Sequence, residues 1–156
     1  MKNPFQTIFL SLLIILIALQ FFRPEKNQGI RSTGNDLFSL VYVDDSIKTL
    51  LETSCFDCHS NYTNYSWYGH LSPVSLFLNK HIVKGKKELN FTEWGNYPDK
   101  DKISKLVDIY DEVEGGDMPL ESYLKIHKDA VLSEHKKNLI LSWAEKEGLV
   151  LLNKKD

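Results

Sequence analysis

The sequence predicts an all-α domain, a small helical unit with long loops, preceded by a separate apolar helix. Apolar residues repeat at helical spacing in four stretches, no neighbouring segments alternate as a strand pair would, and residues 5–22 are almost continuously apolar. A chain of 156 residues suits one domain once that stretch is set aside. We therefore divide it into an N-terminal anchor or signal segment (1–23), a linker (24–36), a domain (37–150) and a tail (151–156).

The N-terminal stretch from Phe5 to Phe22 reads FQTIFLSLLIILIALQFF and is followed by Arg23. At about 1.5 Å rise per residue, it is near the lower limit for crossing a hydrocarbon core of about 30 Å. Its exit, from Ala18 to Phe22, has bulky side chains where a cleavage site needs small ones, so an uncleaved anchor is favoured over a cleaved signal peptide. We expect a single-pass transmembrane helix in the inner membrane, with the domain on the periplasmic side.

The linker and the first helix follow directly. Residues 24–36 read PEKNQGIRSTGND, a composition typical of a flexible tether. Asp44 or Asp45 is placed to cap a helix that runs into Cys55. A second helix is predicted to begin at Ser72-Pro73 and to stop at Gly85.

The third helix is predicted from Asp99 to Glu114, where two glycines end it, and the last from a cap at Ser133 to Gly148. Between the helices, residues 60–70 and 86–98 form loops that are unusually long for a small domain. Only an isolated extended piece is expected at Phe91–Trp94. A buried cofactor would give these loops something to pack against.

The only two cysteines, Cys55 and Cys58, are three positions apart, and His59 follows at once. This CxxCH spacing is typical of covalent c-type haem attachment. Two thiols at a helix end reach both vinyl groups on one porphyrin edge, and the next residue directs its imidazole to the iron. The motif predicts one covalent haem c, with His59 as an axial iron ligand.

Three other uses of the cysteine pair are less favoured. A disulfide is common in exported domains, but a bridge across two residues closes too small a loop to be an effective constraint. A thioredoxin-like redox pair is expected in a βαβ setting, which the sequence lacks. A zinc site of two Cys and two His needs a second closely spaced pair, whereas His127 and His135 are eight residues apart.

The second axial ligand is predicted to be Met118, the only methionine besides Met1, in a Gly-rich loop before Pro119. Histidine with methionine is a common ligand pair in haem electron carriers. The alternatives are His127 and then His81, either of which would give a bis-histidine site. A lone methionine could also be a core filler, and a histidine on an apolar helix face is more often a hydrogen-bonded core residue.

Three aromatic residues, Tyr65, Trp67 and Tyr68, follow the motif and are candidates for packing on the porphyrin, or for ordinary core packing. They do not indicate a nucleic-acid site, because the chain has 21 acidic against 19 basic residues and no basic stripe. All the acidic residues lie beyond Arg23. We therefore expect no nucleic-acid partner.

Several motifs together resemble the haem-binding domain family of bacterial exported proteins. The matching positions are CFDCHSN at 55–61, Trp67-Tyr68, Ser72-Pro73-Val74-Ser75, Gly85, Leu89-Asn90-Phe91, Trp94, Gly116-Asp117-Met118-Pro119, Tyr123, His127, Leu132-Ser133 and Trp143. The resemblance covers residues 50–147 and leaves the anchor outside. It implies a mono-haem, cytochrome c-like module with Met118 at the Met-Pro signature. Phe77 and His81 stand where relatives carry Trp and an acidic residue, which weakens the case for His81 as a ligand.

These features favour a membrane-anchored, extracytoplasmic electron carrier that serves a redox partner protein in or near the membrane. The alternative is a haem-based sensor or ligand-binding module in which the second ligand is displaceable. An enzyme such as a peroxidase is not favoured, because one CxxCH motif supplies a single haem and no distal acid or base is evident. Family resemblance alone does not choose between these functions.

Overall fold

The computed structural model describes residues 3–154 and confirms the all-helical prediction, since within this range the only β pairing is an isolated bridge between Gln28 and Tyr62. The α-helices are α1 (Pro4–Leu19), α2 (Leu37–Leu40), α3 (Asp45–Ser54), α4 (Phe56–His59), α5 (Val74–Glu88), α6 (Asp99–Gly115), α7 (Glu121–Leu124) and α8 (Glu134–Leu152). Short 3-10 helices cover Trp67–His70, Phe91–Asn96 and Lys128–Ala130.

The predicted N-terminal helix is present as α1, which has 16 residues and no buried side chain. Asn3 caps it by accepting a hydrogen bond from the backbone N–H of Phe5, and Pro4 occupies its first position. Between residues 3 and 154, no helix combines the length and the apolar character needed to cross a membrane. Met1 and Lys2, part of the predicted anchor segment, lie outside the described residues.

The core lies where α6 and α8 pack against each other, and α3 packs against α8. Its members on α6 and α8 recur at helical spacing, so one face of each helix is apolar. The buried core residues of these three helices are Ile47, Leu50, Leu51, Leu106, Ile109, Val113, Ile140, Leu141, Trp143 and Ala144. This layer supports the segment that carries the cysteines, because α3 leads directly into Cys55.

Helix ends follow backbone conformation more than glycine content. Gly116 has φ 80° and ends α6, and the Ser133 hydroxyl accepts a hydrogen bond from Lys136 at the start of α8, so both predicted signals are confirmed. The stops predicted at Gly85 and Gly148 are wrong, since neither has a positive φ and both helices continue past them. The predicted tail, residues 151–156, accordingly begins inside α8, and its last two residues lie outside the described range.

Two loops carry more structure than the sequence predicted. Phe91–Trp94, predicted as an extended piece, belongs to a 3-10 helix that buries the side chains of Phe91 and Trp94. Residues 24–36, predicted as a flexible tether, lie along the domain. The Asn27 amide donates to Ser60 O at 2.9 Å, and Gly29 N donates to Asn61 O at 2.8 Å. These contacts join residues more than thirty positions apart, so the local composition did not reveal them.

Candidate functional site

Cys55, Cys58 and His59 lie in a single tight turn. Cys55 ends α3 and precedes the one-turn helix α4. Its carbonyl accepts hydrogen bonds from the backbone N–H groups of Cys58 at 3.1 Å and His59 at 3.0 Å. The backbone is therefore helical from Phe56 to His59, and Cys55 is the cap residue that separates this turn from α3.

The two residues between the cysteines fix this turn from opposite sides. Phe56 stacks between Phe38 and Phe91, with ring centroids 5.0 and 4.9 Å apart. The Asp57 carboxylate accepts hydrogen bonds from the backbone N–H of Asn64 and from the hydroxyl of Tyr123, both at 2.9 Å. Phe56 thus attaches the motif to the hydrophobic core, and Asp57 attaches it to the loop at Asn64 and to α7.

Both cysteines are free thiols and half-buried. Burial and the proximity of Cys58 raise the pKa of Cys55 to about 12, and burial and the Asp57 charge raise the pKa of Cys58 to about 11. Redox-active cysteines need the opposite shift, because the thiolate is the reactive form. The pair is therefore protonated at neutral pH, unlike a thioredoxin-type pair.

His59 is oriented by a backbone carbonyl. Its Nδ1 lies 3.1 Å from Leu89 O, and because a carbonyl only accepts, Nδ1 carries the proton and Nε2 keeps a free lone pair. Burial lowers the pKa of the imidazole, against the opposing effect of the Leu89 and Gly85 carbonyls. A neutral histidine held by Nδ1–H is the usual arrangement for a metal-binding imidazole.

The C-terminal end of α5 lies against this motif. A Cβ atom at Gly85 would lie 2.8 Å from the carbonyl oxygen of Cys58, closer than any side chain can approach. Gly85 therefore permits contact between the backbones of α5 and α4. Leu89, just beyond α5, supplies the carbonyl that holds His59.

Met118 follows the α6 stop, and its backbone N–H donates to Glu112 O at 3.0 Å. Its half-buried side chain packs against the same hydrophobic core as Cys55 and Phe56. The structure therefore places the predicted methionine ligand and the first attachment cysteine on one core.

His127 belongs to a hydrogen-bonded aromatic cluster beside the motif. Its ring stacks on Tyr123 with centroids 4.0 Å apart, and its Nε2 shares a short hydrogen bond with the Tyr68 hydroxyl. Burial, Asp57 and Cys58 all raise the pKa of Tyr123, so its hydroxyl is the hydrogen-bond donor to Asp57. The ring nitrogen that would ligate a metal is thus already engaged by Tyr68.

The other candidates lie in different settings. His81 donates from Nδ1 to Phe77 O at 2.9 Å and packs on the Phe77 ring, outside this cluster. Among the three aromatic candidates, Tyr68 lies in the cluster beside Cys58. Burial and the nearby Cys58 raise the pKa of Tyr68. Tyr65 accepts a hydrogen bond from Asn27 N, and Trp67 is largely exposed.

A haem-binding domain family model matches residues 14–146, most of the chain. The chain belongs to the haem-binding domain family. The match begins inside α1, well before residue 50, so it includes the docked N-terminal segment that the sequence resemblance left out. No curated protein and no solved structure matches this chain.

The donor groups of these residues are of the kinds that bind haem, the cofactor of this family. Cys55 and Cys58 are protonated thiols with no partner, His59 keeps Nε2 free, and Met118 offers a thioether on the same core. Over residues 3–154, no group of three or more His, Cys, Asp and Glu side chains is placed to hold a metal ion. A haem iron held by imidazole and thioether needs no such group.

The family resemblance includes Gly85, Leu89 and Tyr123, but the sequence did not reveal what these residues contact. Gly85 was interpreted as a helix stop, and Leu89 acts through its carbonyl, which any residue has. The pairing of Asp57 with Tyr123 joins positions 66 residues apart. The CxxCH motif was the available signal for such contacts, because a rigid motif requires Phe56 and Asp57 to contact other parts of the chain.

Proposed function

We propose that this protein is a membrane-attached, extracytoplasmic c-type cytochrome-like protein that transfers single electrons to or from a redox partner protein. One haem would be attached to Cys55 and Cys58, with His59 and Met118 as axial ligands. The observation that carries the proposal is the turn that brings two free thiols together with an imidazole whose Nδ1 is held by Leu89 O.

Bound haem would supply an iron that alternates between ferric and ferrous states by one electron. Cys55, Cys58, His59 and Met118 would hold this haem in place. His59 is neutral and fixed in rotation by Leu89 O, and Phe56 and Asp57 keep the two thiols on a rigid turn. A fixed ligand set favours electron transfer, because little structure needs to change between the two oxidation states.

We propose no substrate chemistry for this site. His127 is linked to the motif through Tyr123, which donates to Asp57, and Tyr68 and Tyr123 engage both its Nε2 and its ring face. It is therefore poorly placed to act as a proton acceptor for a bound molecule. The same contacts make His127 a weaker candidate than Met118 for the second axial position.

The exposed surface of α1 supports the proposal that this helix attaches the protein to a membrane. Large apolar side chains are exposed all around this helix, including Ile8, Leu12, Ile15 and Ile17. A helix apolar on every face needs a nonpolar surrounding. Its rise of about 24 Å is somewhat shorter than the hydrocarbon core, a mismatch that bilayers accommodate by local thinning. We place the domain on the periplasmic side, where CxxCH motifs receive haem.

The central experiment is expression of the full chain with a cytochrome c maturation system. We expect haem that survives denaturing electrophoresis, a pyridine haemochrome spectrum of one thioether-bound haem per chain, and a reversible one-electron redox titration. The Cys55→Ala and Cys58→Ala double variant should lose all covalent haem. Wild-type protein without covalent haem would overturn the proposal.

The second ligand is tested by Met118→Ala, with His127→Ala and His81→Ala as matched variants. We expect the sulfur-to-iron charge-transfer band of the oxidised protein to disappear only in Met118→Ala, with a fall in reduction potential. A band absent from the wild type would move the assignment to a histidine. A five-coordinate wild-type iron that binds carbon monoxide freely would instead support the sensor function.

A further inference from the structure

The end of α1 is hydrogen-bonded directly to the start of α5. The Gln20 amide donates to Ser72 O at 2.8 Å and accepts from Ser72 N at 3.2 Å. The Ser72 hydroxyl donates to Phe22 O at 2.8 Å. Gln20 is the C-cap residue of α1, so no free spacer separates this helix from the domain.

The following residues continue this attachment. Lys26 Nζ donates to His70 Nδ1 at 2.8 Å, and Asn27 N donates to the Tyr65 hydroxyl at 2.9 Å. The 3-10 helix Trp67–His70 is therefore held close to the same end of α1. Wherever α1 lies, this part of the domain must lie next to it.

Around this attachment the domain exposes a set of large apolar side chains, which we call the junction face. Leu71 and Val74 lie within two residues of Ser72, and Trp67 is about 10 Å away along a 3-10 helix. Two members follow Gln20 directly. The junction face comprises Phe21 (84% exposed), Phe22 (68%), Trp67 (76%), Leu71 (44%) and Val74 (42%).

We propose that the junction face lies in the headgroup region of the membrane that α1 enters, an inference that rests on the proposed membrane attachment. The headgroup region extends some 5–7 Å beyond the hydrocarbon core, and Phe21, Phe22, Leu71 and Val74 lie within two residues of the hydrogen-bonded pair Gln20 and Ser72. Tryptophan and phenylalanine are suited to this boundary, and Arg23 and Lys26 beside the face suit anionic headgroups. Lipid is favoured over a protein partner because the face is continuous with the apolar surface of α1.

This placement also sets the position of the cysteine motif. α5 begins beside the junction face and reaches Cys58 at Gly85, about 16 Å further along its axis. The helix is therefore a rigid spacer between the membrane and the haem-attachment turn. The domain would be held in one orientation on the bilayer.

The test uses the full haem-loaded chain in vesicles of phosphatidylcholine and phosphatidylglycerol. Single substitutions Trp67→Cys, Leu71→Cys and Val74→Cys are spin-labelled, since the native cysteines are occupied by haem. Collisions with lipid-soluble oxygen and water-soluble nickel chelate are compared. Leu13→Cys on α1 reports membrane attachment, and Val107→Cys on α6 is the matched exposed control. Unchanged haem absorption verifies the fold of each variant.

We expect oxygen collisions to dominate at positions 13, 67, 71 and 74, and nickel collisions to dominate at position 107. Gln20→Ala should shift positions 67, 71 and 74 toward nickel and leave position 13 unchanged. Lipid contact at position 13 with water contact at 67, 71 and 74 overturns this inference alone. Water contact at position 13 overturns membrane attachment itself. Protection from both reagents at 67, 71 and 74 indicates a protein on this face, which also overturns the inference.

Discussion

The half of the molecule formed by α6 and α8 differs sharply from the half that holds the cysteine motif. Between them, α6 and α8 bury seven apolar side chains, Leu106, Ile109, Val113, Ile140, Leu141, Trp143 and Ala144. α5, although 15 residues long, buries only Ser75 and Ile82 and exposes Val74, Leu76, Phe77 and Val83. The first half supplies most of the shared hydrophobic core. The second is held by hydrogen bonds and aromatic contacts and leaves apolar surface for something else to cover.

The difference indicates that the two halves depend on different contacts for their stability. The α6 and α8 half supplies stability that does not depend on a cofactor, because its apolar surface is buried within the chain. The motif half is completed by groups from outside, haem at one end of α5 and lipid at the other in our proposals. The following predictions test that difference, from the largest expected effect to the smallest.

Trp143→Ala should destabilise the α6 and α8 half most, because it removes a large side chain that is 4% exposed in the core. We expect a loss of about 3–5 kcal/mol in the free energy of unfolding, measured by denaturant titration. Covalent haem per folded chain should be unchanged. A variant that lost haem while remaining folded would show that the two halves are not separate.

Gly85→Ala should damage the motif half, because the added Cβ would meet the carbonyl of Cys58 at 2.8 Å. We expect a loss of about 1–3 kcal/mol and a lower yield of covalent haem. Gly148→Ala is the matched control, since that glycine is also within a helix and has nothing within 4 Å of its Cβ position. It should stabilise by up to about 1 kcal/mol. Equal effects at both sites would contradict the close contact.

Tyr123→Phe should destabilise the motif half less than Gly85→Ala does. It removes the hydroxyl that donates to Asp57 at 2.9 Å and leaves the ring stacked on His127. A loss of about 1–2 kcal/mol is expected, with faster hydrogen exchange around Cys58. Tyr42→Phe is the control because Tyr42 is almost fully exposed. No difference between the two variants would mean that the Asp57 contact does not stabilise the turn.

Glu147→Gln should have the smallest effect, on pH dependence in the α6 and α8 half. Glu147 lines a small cavity with Trp143 and Leu106, and burial raises its pKa above 4.5 despite the opposing charge of Lys146. The folded state therefore retains this proton to higher pH than the unfolded state, so stability falls as pH rises from 4.5 through the folded pKa. Thermal melts should show that Glu147→Gln removes this fall. The exposed neighbour Glu145→Gln should retain it.

Local patterns in the sequence predicted most of the fold. The spacing of Ile47, Leu50 and Leu51 gave α3, and Ser133 marked the start of α8. The stops at Gly85 and Gly148 failed because glycine permits a positive φ without requiring it. Only the tertiary structure shows that Gly85 is needed for a close backbone contact.

The cysteine motif and its histidine could be identified from spacing alone, because the chemistry of attachment requires adjacent residues. The roles of the groups that orient them could not be identified from the sequence. Leu89 acts through its carbonyl, and Tyr123 meets Asp57 across 66 positions, so neither leaves a periodic trace in the sequence. α5 begins at Val74, close to the start predicted at Ser72-Pro73. The hydroxyl of Ser72 donates to Phe22 O and lies within hydrogen-bond distance of the Ser75 hydroxyl. The contact with Phe22 could not be predicted from the sequence.

The stacking of Phe56 between Phe38 and Phe91 has a consequence for biogenesis. Once this stack forms, the thiols on either side of Phe56 are half-buried and the turn that carries them is closed. In our proposal, haem is therefore joined to the exported chain before folding is complete, and the two processes compete in time. Apo protein that has already folded should accept covalent haem more slowly than apo protein held open in urea, as mass spectrometry would record. In this proposal, Phe56 both makes the turn rigid and limits the time in which haem can be attached.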